Sequence, residues 1–268
     1  MHILFCGDVV GRVGKNAIAK YLPLLKQQLN LDFIIVNADN ASGGFGLNQQ
    51  SCLEIFQAGA NVITGGDHIW DNKEANNLLS THKNILRPAN FPPSSPGNGF
   101  GIFEVSSTKK ILVLHLMGQV FMKYNVDCPF AFAEKIIKNY RLGKDIDAIF
   151  VDFHAEATSE KMAMAKFLDG KITALVGSHT HIPTNDCHIM KAGTAYQTDA
   201  GMCGDYDSVI GMEKNVPIQI FLHKRKTERM QPASQEATFC GCFVQANQQG
   251  LAIKITPIKL GGVLCHFS

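Results

Sequence analysis

Side chains of metal-ligand type recur in this sequence directly after short apolar segments. Carboxylates, amides and imidazoles without accompanying thiolates favour iron, manganese or zinc over softer ions. A set of this size is large enough for two ions, and a dinuclear site clamps the attacking and leaving oxygens of a phosphoryl transfer. The candidate residues are Asp8, Asp39, Asn40, Asp67, His68, His154, His179 and His181.

Taken singly, each of these motifs also has a structural explanation. Asp39 could begin a turn, and His154 could be a buried histidine held by hydrogen bonds. The pair His179 and His181 is the strongest motif, because side chains at i and i+2 of an extended segment face the same way. Gly177 is expected to allow a tight backbone turn just before that pair. The metal interpretation depends on five segments repeating one order, an apolar strand followed by a residue of ligand type.

The elements that must position these residues alternate between strand and helix over most of the chain. Apolar periodicity predicts strands at 2–6, 32–36, 61–64, 100–105, 110–116, 146–152 and 172–176, and helices at 15–29, 48–58, 72–79, 129–140 and 159–168. Pro23 is expected to kink or split the first helix. From residue 187 the pattern is mostly β, with strands predicted at 187–190, 194–198, 237–245 and 251–257. Loops at the carboxyl ends of such strands line one edge of an α/β sheet, so the polar residues are predicted to share one rim.

The length of 268 residues fits one large α/β domain or two small ones, and because no linker interrupts the pattern a single domain over residues 1–268 is predicted. The hydrophobic fraction of 46% and the charged fraction of 18% exclude a disordered chain. No apolar stretch approaches the ~20 residues that span a bilayer, and no basic N-terminal segment indicates a signal peptide. A cytoplasmic protein without membrane association is therefore expected. The eight cysteines form no CxxC pair and are interpreted as small buried residues in a reducing compartment.

The charge distribution argues against a nucleic-acid-coating surface. Net charge is only +2, and the one basic run, residues 223–229, contains no interleaved aromatic side chain. That run is predicted to be a solvated loop, and no stable complex with nucleic acid is expected. The sequence does not define the oligomeric state, and a homo-oligomer remains compatible with it.

Seven segments of the chain resemble the YmdB-like subgroup of the calcineurin-like metallophosphoesterase superfamily. The most specific of them is DFHAEATSEK, and the resemblance runs from the N-terminus to at least Met212. It implies an α/β fold in which a two-sheet β-sandwich is flanked by helices, the calcineurin-like metallophosphoesterase fold. The segments are FCGDVVGR (5–12), NADNASGGFGL (37–47), GGDHIWD (65–71), RPANFP (87–92), DFHAEATSEK (152–161), GSHTHIPT (177–184) and YQTDAGMCG (196–204).

The resemblance also implies roles for the candidate residues. Asp39 would bridge two transition-metal ions, a hydroxide between the ions would attack phosphorus, and His68 would act as general acid. The implied substrates are small cyclic nucleotides, notably 2′,3′-cyclic ones, or phosphoesters at RNA ends, with iron as the expected metal and manganese or zinc as alternatives. One ion would be held by Asp8, Asp39, Asn40 and His181, and the other by Asp39, Asp67, His154 and His179.

Two positions depart from the usual pattern of the subgroup. Asp39 stands where Glu is usual, and Asp67 stands where Asn is usual. The second change adds negative charge, which is expected to lower the Lewis acidity of the bound ion. Two other functions stay open, a phosphomonoesterase and a regulatory metal-binding protein with little turnover. His68 favours an enzyme, because a purely structural metal site needs no proton donor.

Two further residues are interpreted as supporting structure. Asp199 lies in a matched segment and is expected to orient metal-bound imidazoles, as carboxylates beside metal sites often do. His115 lies within a predicted strand and is interpreted as structural.

Overall fold

Strands and helices alternate through most of the chain, as the apolar periodicity predicts. The computed structural model describes residues 1–225 and 228–264, and over those residues it has fourteen strands and six helices. The elements of the first half are β1 (His2–Cys6), β2 (Asp8–Val9), α1 (Gly11–Gln28), β3 (Phe33–Asn37), α2 (Gln49–Gln57), β4 (Val62–Thr64), α3 (Ala75–Thr81), β5 (Ile85–Leu86), β6 (Phe100–Ser106) and β7 (Lys109–Met117). Those of the second half are α4 (Pro129–Ile137), β8 (Ala148–His154), α5 (Thr158–Leu168), β9 (Ala174–Ser178), β10 (His188–Ile189), β11 (Ala195–Gln197), β12 (Met202–Asp205), α6 (Asn215–His223), β13 (Ala237–Ala246) and β14 (Ala252–Leu260).

The strands form two sheets. The first has the order β2-β12-β13-β1-β3-β4-β5, with β14 paired to β13, and the second has the order β10-β11-β9-β8-β7-β6. Strands β1, β3, β4 and β5 run parallel in the first sheet. Strands β7, β8, β9 and β11 run parallel in the second. Each sheet therefore contains a block of parallel strands whose carboxyl ends share one edge.

Alternation of side chains along β1 shows how the layers pack. Ile3 and Phe5 belong to a buried cluster shared by the two sheets, in which the rings of Phe5 and Phe150 lie 5.4 Å apart. Leu4 and Cys6 point the other way, into a cluster that they share with apolar residues of α1, α2 and α3. A third cluster joins the outer face of the second sheet to α4 and α5. The predicted two-sheet sandwich flanked by helices is confirmed.

Helix α1 differs from its prediction. It begins at Gly11, four residues before the predicted start, and continues through Pro23 to Gln28 without the predicted split. Leu22 and Leu25 are buried on either side of the proline. Their packing against the first sheet offsets the hydrogen bond that proline cannot donate.

Residues 215–223, for which no element is predicted, form helix α6 within the mostly β second part of the chain. Pro217 lies in the first turn of this helix, where no intrahelical N–H bond is needed. The apolar residues Ile218, Phe221 and Leu222 are exposed, so α6 has no buried stripe for periodicity to detect. The basic run 223–229 begins at the last residue of α6, and residues 226 and 227 of the run lie outside the described residues.

Two other expectations concern cysteines and membrane spans. The seven cysteines among the described residues are free, and five of them are buried, as expected; Cys265 lies outside the described residues. In the described part of the chain, no helix combines the length and the apolar character that crossing a membrane requires.

Candidate functional site

The eight candidate residues come together at one end of the sandwich. Asp8, Asp39 and Asp67 follow strands β1, β3 and β4 of the first sheet. His154 is the last residue of β8, and His179 directly follows β9, so the second sheet supplies imidazoles to the same place. The first sheet thus delivers the three carboxylates together with Asn40 and His68, and the second delivers the other three imidazoles.

The tightest group contains one carboxylate and two imidazoles. Oδ1 of Asp67 lies 3.2 Å from Nε2 of His154 and 3.3 Å from Nδ1 of His179. The two ring nitrogens are 3.1 Å apart. One ligand-type atom from each of the three residues lies within 4.8 Å of the others, which is a spacing that can hold a metal ion.

The remaining candidates border this group. Oδ2 of Asp39 lies 3.6 Å from Nε2 of His154, and Oδ1 of Asp8 lies 3.8 Å from Nδ1 of the same ring. Nε2 of His181 lies 3.2 Å from Oδ1 of Asn40. Asp39, which borders the three-residue group, is followed directly by Asn40, which contacts His181. The His181 contact therefore lies next to the three-residue group.

The electrostatics of the carboxylates fit a bound cation. Burial raises the pKa of Asp8 and of Asp39 well above the usual range, and neighbouring carboxylates, Asp199 and Asp67 respectively, raise both further. Burial alone would also raise the pKa of Asp67. The hydrogen bond from the imidazole of His154 helps to outweigh burial, and the pKa of Asp67 lies well below its ordinary value. Oδ1 of Asp8 is buried without a hydrogen-bond partner. Such crowding is unfavourable unless a positive charge compensates it, so the donor set fits metal ions.

A hydrogen-bond chain sets the tautomer of His154. The hydroxyl of Ser178 donates to Oδ1 of Asp152 at 2.7 Å, so its oxygen accepts from Nδ1–H of His154 at 2.9 Å. Nε2 therefore presents a lone pair to the metal-type group. Burial lowers the pKa of His154 to about 4, which keeps the ring neutral near pH 7. Metal ligation needs this neutral form.

The other two imidazoles are oriented in the same manner. Nε2 of His179 lies 3.2 Å from Oε2 of Glu156, which leaves Nδ1 facing Asp67. Burial lowers the pKa of His179, but the hydrogen bond to Asp67 outweighs it and raises the value, so a proton and a cation compete for Nδ1. Nδ1 of His181 donates to the carbonyl oxygen of Ile210 at 2.8 Å, and burial lowers the pKa of this ring. Each imidazole thus has one ring nitrogen held by a partner and the other directed at the site.

The predicted extended conformation of the His179–His181 pair is wrong. Strand β9 ends at Ser178, and the φ angles of His179 and His181 are 98° and 67°. A carboxylate oxygen of Asp199 accepts from N–H and Oγ1–H of Thr180, at 3.1 and 2.7 Å, and holds the intervening residue. Left-handed backbone at non-glycine residues costs about 1–3 kcal/mol each. This turn aims the two rings at different neighbours, and Asp199 orients them through Thr180 without touching either ring.

Two glycines allow close approach at the site. A Cβ at Gly66 would overlap Nε2 of His154. A Cβ at Gly177 would overlap the carbonyl oxygen of Thr198, and Gly177 lies within β9, so the tight turn predicted there does not form. Both positions need glycine because neighbouring atoms occupy the space of a side chain.

His68 has a carboxylate partner that the sequence interpretation missed. Nδ1 of His68 lies 2.7 Å from Oδ2 of Asp71, and Nε2 lies 3.8 Å from Oδ2 of Asp67. The backbone N–H of His68 donates to both carboxylate oxygens of Asp39 at 3.1 Å. The Asp71 contact fixes the proton on Nδ1, so Nε2 is the nitrogen that can exchange a proton with a ligand. In the sequence, the one feature that could have indicated a role for Asp71 is its place in the matched segment 65–71.

The segment 152–161 supplies more than the one ligand predicted from it. Besides His154, it contributes Asp152, which accepts from the His154 partner Ser178, and Glu156, which contacts the ring of His179. Glu160 accepts from the N–H groups of residues 119 and 120, and Lys161 pairs with Asp199. The many polar residues of this segment indicated that several of them support the site. Their spacing in the sequence does not show which partner each of them binds.

Asp152 organises the layer beneath the site. Its carboxylate accepts from Ser178 and from Thr64, at 2.7 and 2.6 Å. His115 is fully buried, with its ring nitrogens 3.1 Å from the carbonyl oxygen of Asp152 and 3.0 Å from that of Gly65. The structural interpretation of His115 is confirmed.

A cavity of about 550 Å³ opens onto the site. Its lining includes the site residues Asp39, His68 and His179 and, among its apolar side chains, those of α6 and of residues 209–212. Cavities of roughly 300–1,000 Å³ hold small molecules. The arrangement can therefore bind a compact anionic ligand beside a metal-type group and a histidine that can donate a proton.

Comparison with known proteins gives close matches. The family model described as "YmdB-like protein" matches residues 4–258. A protein of Bacillus subtilis named 2′,3′-cyclic-nucleotide 2′-phosphodiesterase is 39% identical over 261 residues, covering 97% of either chain. A protein of Mycoplasma genitalium named putative phosphatase/phosphodiesterase is 38% identical over 227 residues, covering 82% of this chain and 79% of that protein.

A solved structure supports the same assignment. The crystal structure of a phosphatase from Mycoplasma pneumoniae superposes with a TM-score of 0.91 at 34% identity, covering 97% of this chain and 93% of that one. The expected calcineurin-like metallophosphoesterase fold is confirmed.

Proposed function

The chain belongs to the YmdB-like family, and from this premise we propose that it is a metal-dependent phosphodiesterase acting on 2′,3′-cyclic nucleotides. The observation that carries the proposal is the convergence of carboxylates and imidazoles at one end of a cavity whose wall also contains His68. The name of the Bacillus subtilis relative supports this choice of substrate.

The proposed metal centre would hold two ions, and Asp39 would contribute to the ligand sets of both. Bound ions supply Lewis-acid activation of water and of the phosphoryl group. Iron is the expected metal, with manganese or zinc as alternatives. One ion is assigned to Asp8, Asp39, Asn40 and His181, and the other to Asp39, Asp67, His154 and His179.

In the proposed reaction His68 supplies the proton for the leaving group. Water adds to phosphorus and loses one proton to solvent, the bond between phosphorus and the 2′ oxygen breaks, and His68 regains its proton from solvent after the reaction. The 2′ oxygen takes the proton carried by Nε2 of His68, and the product is a nucleoside 3′-phosphate. Asp71 holds Nδ1 of His68 at 2.7 Å and thereby keeps Nε2 turned to the substrate. General acid catalysis of this kind contributes roughly 10²–10⁴-fold to the rate.

The carboxylate of Asp67 supports the same role for His68. Its Oδ2 lies 3.8 Å from Nε2 of His68, beside the nitrogen from which the proton is donated in the proposed reaction. The family resemblance places a neutral Asn at this position. An Asp67→Asn variant therefore tests whether the added negative charge changes the metal content of the protein and the rate of the reaction.

The proposal is tested with protein loaded separately with Fe²⁺, Mn²⁺ or Zn²⁺. The leaving group of a 2′,3′-cyclic nucleotide is an alkoxide, which leaves poorly unless it is protonated. The leaving group of bis(p-nitrophenyl) phosphate is a phenolate, which needs no proton. His68→Ala should lower kcat about 10²–10⁴-fold for the cyclic nucleotide and much less for the activated diester. His82→Ala is the matched control, because His82 is exposed beyond the end of α3 and does not line the cavity.

Three outcomes would contradict the proposal in different ways. Equal rates for His68→Ala and parent on both substrates would remove His68 from the mechanism. Turnover of p-nitrophenyl phosphate alone would identify a phosphomonoesterase. Absence of turnover on all phosphoesters with all three metals would favour the regulatory metal-binding protein.

A further inference from the structure

The cavity beside the site has one polar end and one long apolar wall. The wall is built by the turn at residues 209–212 and by α6, with Phe45 on the loop after β3. The apolar side chains used in the argument below are Phe45, Val209, Ile210, Met212, Ile220 and Phe221. None of these six side chains carries a hydrogen-bonding group, so this wall can bind a ligand through contact area and stacking only.

Strained backbone presents the wall to the cavity. Val209 and Met212 exchange both backbone hydrogen bonds, at 2.9 and 3.0 Å, and close a tight turn. Its two central residues, Ile210 and Gly211, have φ angles of 47° and 90°. A β-branched residue with positive φ is a conformational outlier, and such strain persists where the surrounding structure enforces it. A glycine or asparagine would suit this turn better, yet Ile210 places a half-exposed aliphatic side chain on the cavity wall.

The same turn is fixed to the metal-type group. The carbonyl oxygen of Ile210 accepts from Nδ1 of His181 at 2.8 Å, while Nε2 of that ring lies 3.2 Å from Asn40. A single imidazole therefore separates the apolar wall from the polar end. A ligand held at the polar end by its phosphate would meet the wall with the group attached to its sugar.

Two phenylalanine rings line the cavity. The ring of Phe45 lies 5.2 Å from that of His68 in an edge-on arrangement. Phe221 lines the cavity from α6, although 69% of its surface is exposed. Aromatic side chains beside a phosphate site commonly stack on nucleobases, because every base has a π face.

We propose that the apolar wall is the nucleobase subsite, in which Phe221 and Ile210 contact the base of a single cyclic nucleotide. The inference rests on the proposed function for its substrate class and deepens it. The six side chains of the wall offer no hydrogen bonds, so affinity depends on the area of the base that contacts them. Purines, which have the larger ring system, therefore bind more tightly than pyrimidines. For the same reason adenine and guanine are discriminated little.

The kinetic test compares neighbouring residues of α6. Phe221→Ala should raise KM for adenosine 2′,3′-cyclic phosphate about 5- to 100-fold, the loss expected from one stacked base. The increase should shrink for a ribose 2,3-cyclic phosphate that lacks a base. Leu222→Ala is the matched control, because Leu222 is 66% exposed on the same helix but does not line the cavity. Equal KM changes in the two variants would overturn the base subsite.

A binding measurement separates this inference from the proposed function. Isothermal titration of metal-loaded protein with adenosine 3′-phosphate and with ribose 3-phosphate needs no turnover. Tighter binding of the nucleotide, lost in Phe221→Ala and kept in Leu222→Ala, supports the subsite even when no phosphoester is hydrolysed. Equal binding of both ligands to the parent protein overturns it even when cyclic nucleotides are hydrolysed. Much tighter binding of a trinucleotide than of the mononucleotide would also overturn it, by indicating an RNA strand as occupant.

Discussion

Nζ of Lys161 lies 2.8 Å from Oδ2 of Asp199, and both side chains are completely buried. The same carboxylate accepts hydrogen bonds from Thr180, the residue between His179 and His181. The ion pair therefore connects helix α5 to the strained turn that carries two candidate metal ligands. It holds the geometry of the site without contacting a substrate.

Replacing Lys161 with Met should destabilise the protein strongly. The substitution leaves Asp199 buried without its cation, and breaking a buried pair in this way costs about 3–5 kcal/mol. Urea denaturation of both proteins measures the change in the free energy of unfolding. Lys166→Met on the exposed side of α5 is the control and should change it little. A loss below about 1 kcal/mol for Lys161→Met, the usual value of an exposed pair, would show that the pair is not desolvated in solution.

Replacing His179 with Ala should lower the metal content of the protein. The proposed centre holds about two ions, and His179 contributes Nδ1 to the group with Asp67 and His154. Elemental analysis should find about one ion fewer in the variant, with activity reduced in parallel. His188→Ala changes an exposed histidine of β10 and should keep the parental content. Full occupancy in His179→Ala would mean that His179 is not a ligand.

Glu156 should act through the orientation of His179. Its Oε2 lies 3.2 Å from Nε2 of that ring and holds the tautomer that frees Nδ1. Removing such a partner of a metal-bound histidine typically lowers metal affinity about 10–100-fold. Competition with a chelator should show this loss for Glu156→Ala. Glu156→Gln should recover part of the affinity, because its amide oxygen still accepts from Nε2–H. Identical affinities for parent and Glu156→Ala would contradict the role.

Glu54 should make the stability of the protein pH-dependent. A hydrogen bond from Gln50, together with Lys15 and Arg12, outweighs partial burial and lowers the pKa of Glu54 from the ordinary 4.5 to about 2. A depressed carboxyl pKa contributes stability that is complete above the unfolded value and disappears as pH falls through the folded value. Glu54→Gln should therefore lose about 1–2 kcal/mol at pH 7, a figure discounted for solvent screening of a partly exposed group.

The difference between Glu54→Gln and the parent should shrink between pH 4.5 and pH 2. Chemical denaturation at pH 7, 4 and 2.5 measures this difference in the free energy of unfolding. Glu104→Gln, on an exposed position of β6, is the control. A difference that stays constant over this range would indicate that packing, and not charge, stabilises the Glu54 side chain.

The strands and the rim that they form were predictable because burial imposes a simple pattern on the sequence. Strands such as β1, β3 and β8 are short apolar runs, and the polar residues that follow them lie at their carboxyl ends. The order in which sheets and helices stack could not be predicted from apolar periodicity. It depends on which face of β1 meets the other sheet, and it came from the resemblance of seven segments to a known family.

The details that escaped prediction arise from contacts distant in sequence. The left-handed turn at His179 and His181 depends on Asp199, and the role of Asp199 depends on Lys161. Helix α6 has no buried stripe, so its residues carry no periodic signal. Pairings of this kind follow from the assembled fold, whereas local periodicity reports only on which face of an element is buried.

The backbone N–H of His179 donates to Oδ2 of Asp8 across 171 positions of the chain, at 3.1 Å. Asp67 follows a strand of one sheet, and His154 and His179 lie at strand ends of the other, so neither half of the chain can assemble this group alone. Contacts of such long range form late and slow folding. A cation that binds only the completed arrangement stabilises the native state over partly folded forms by mass action. Metal binding is therefore expected to favour chains whose two sheets have docked over chains whose sheets are still apart.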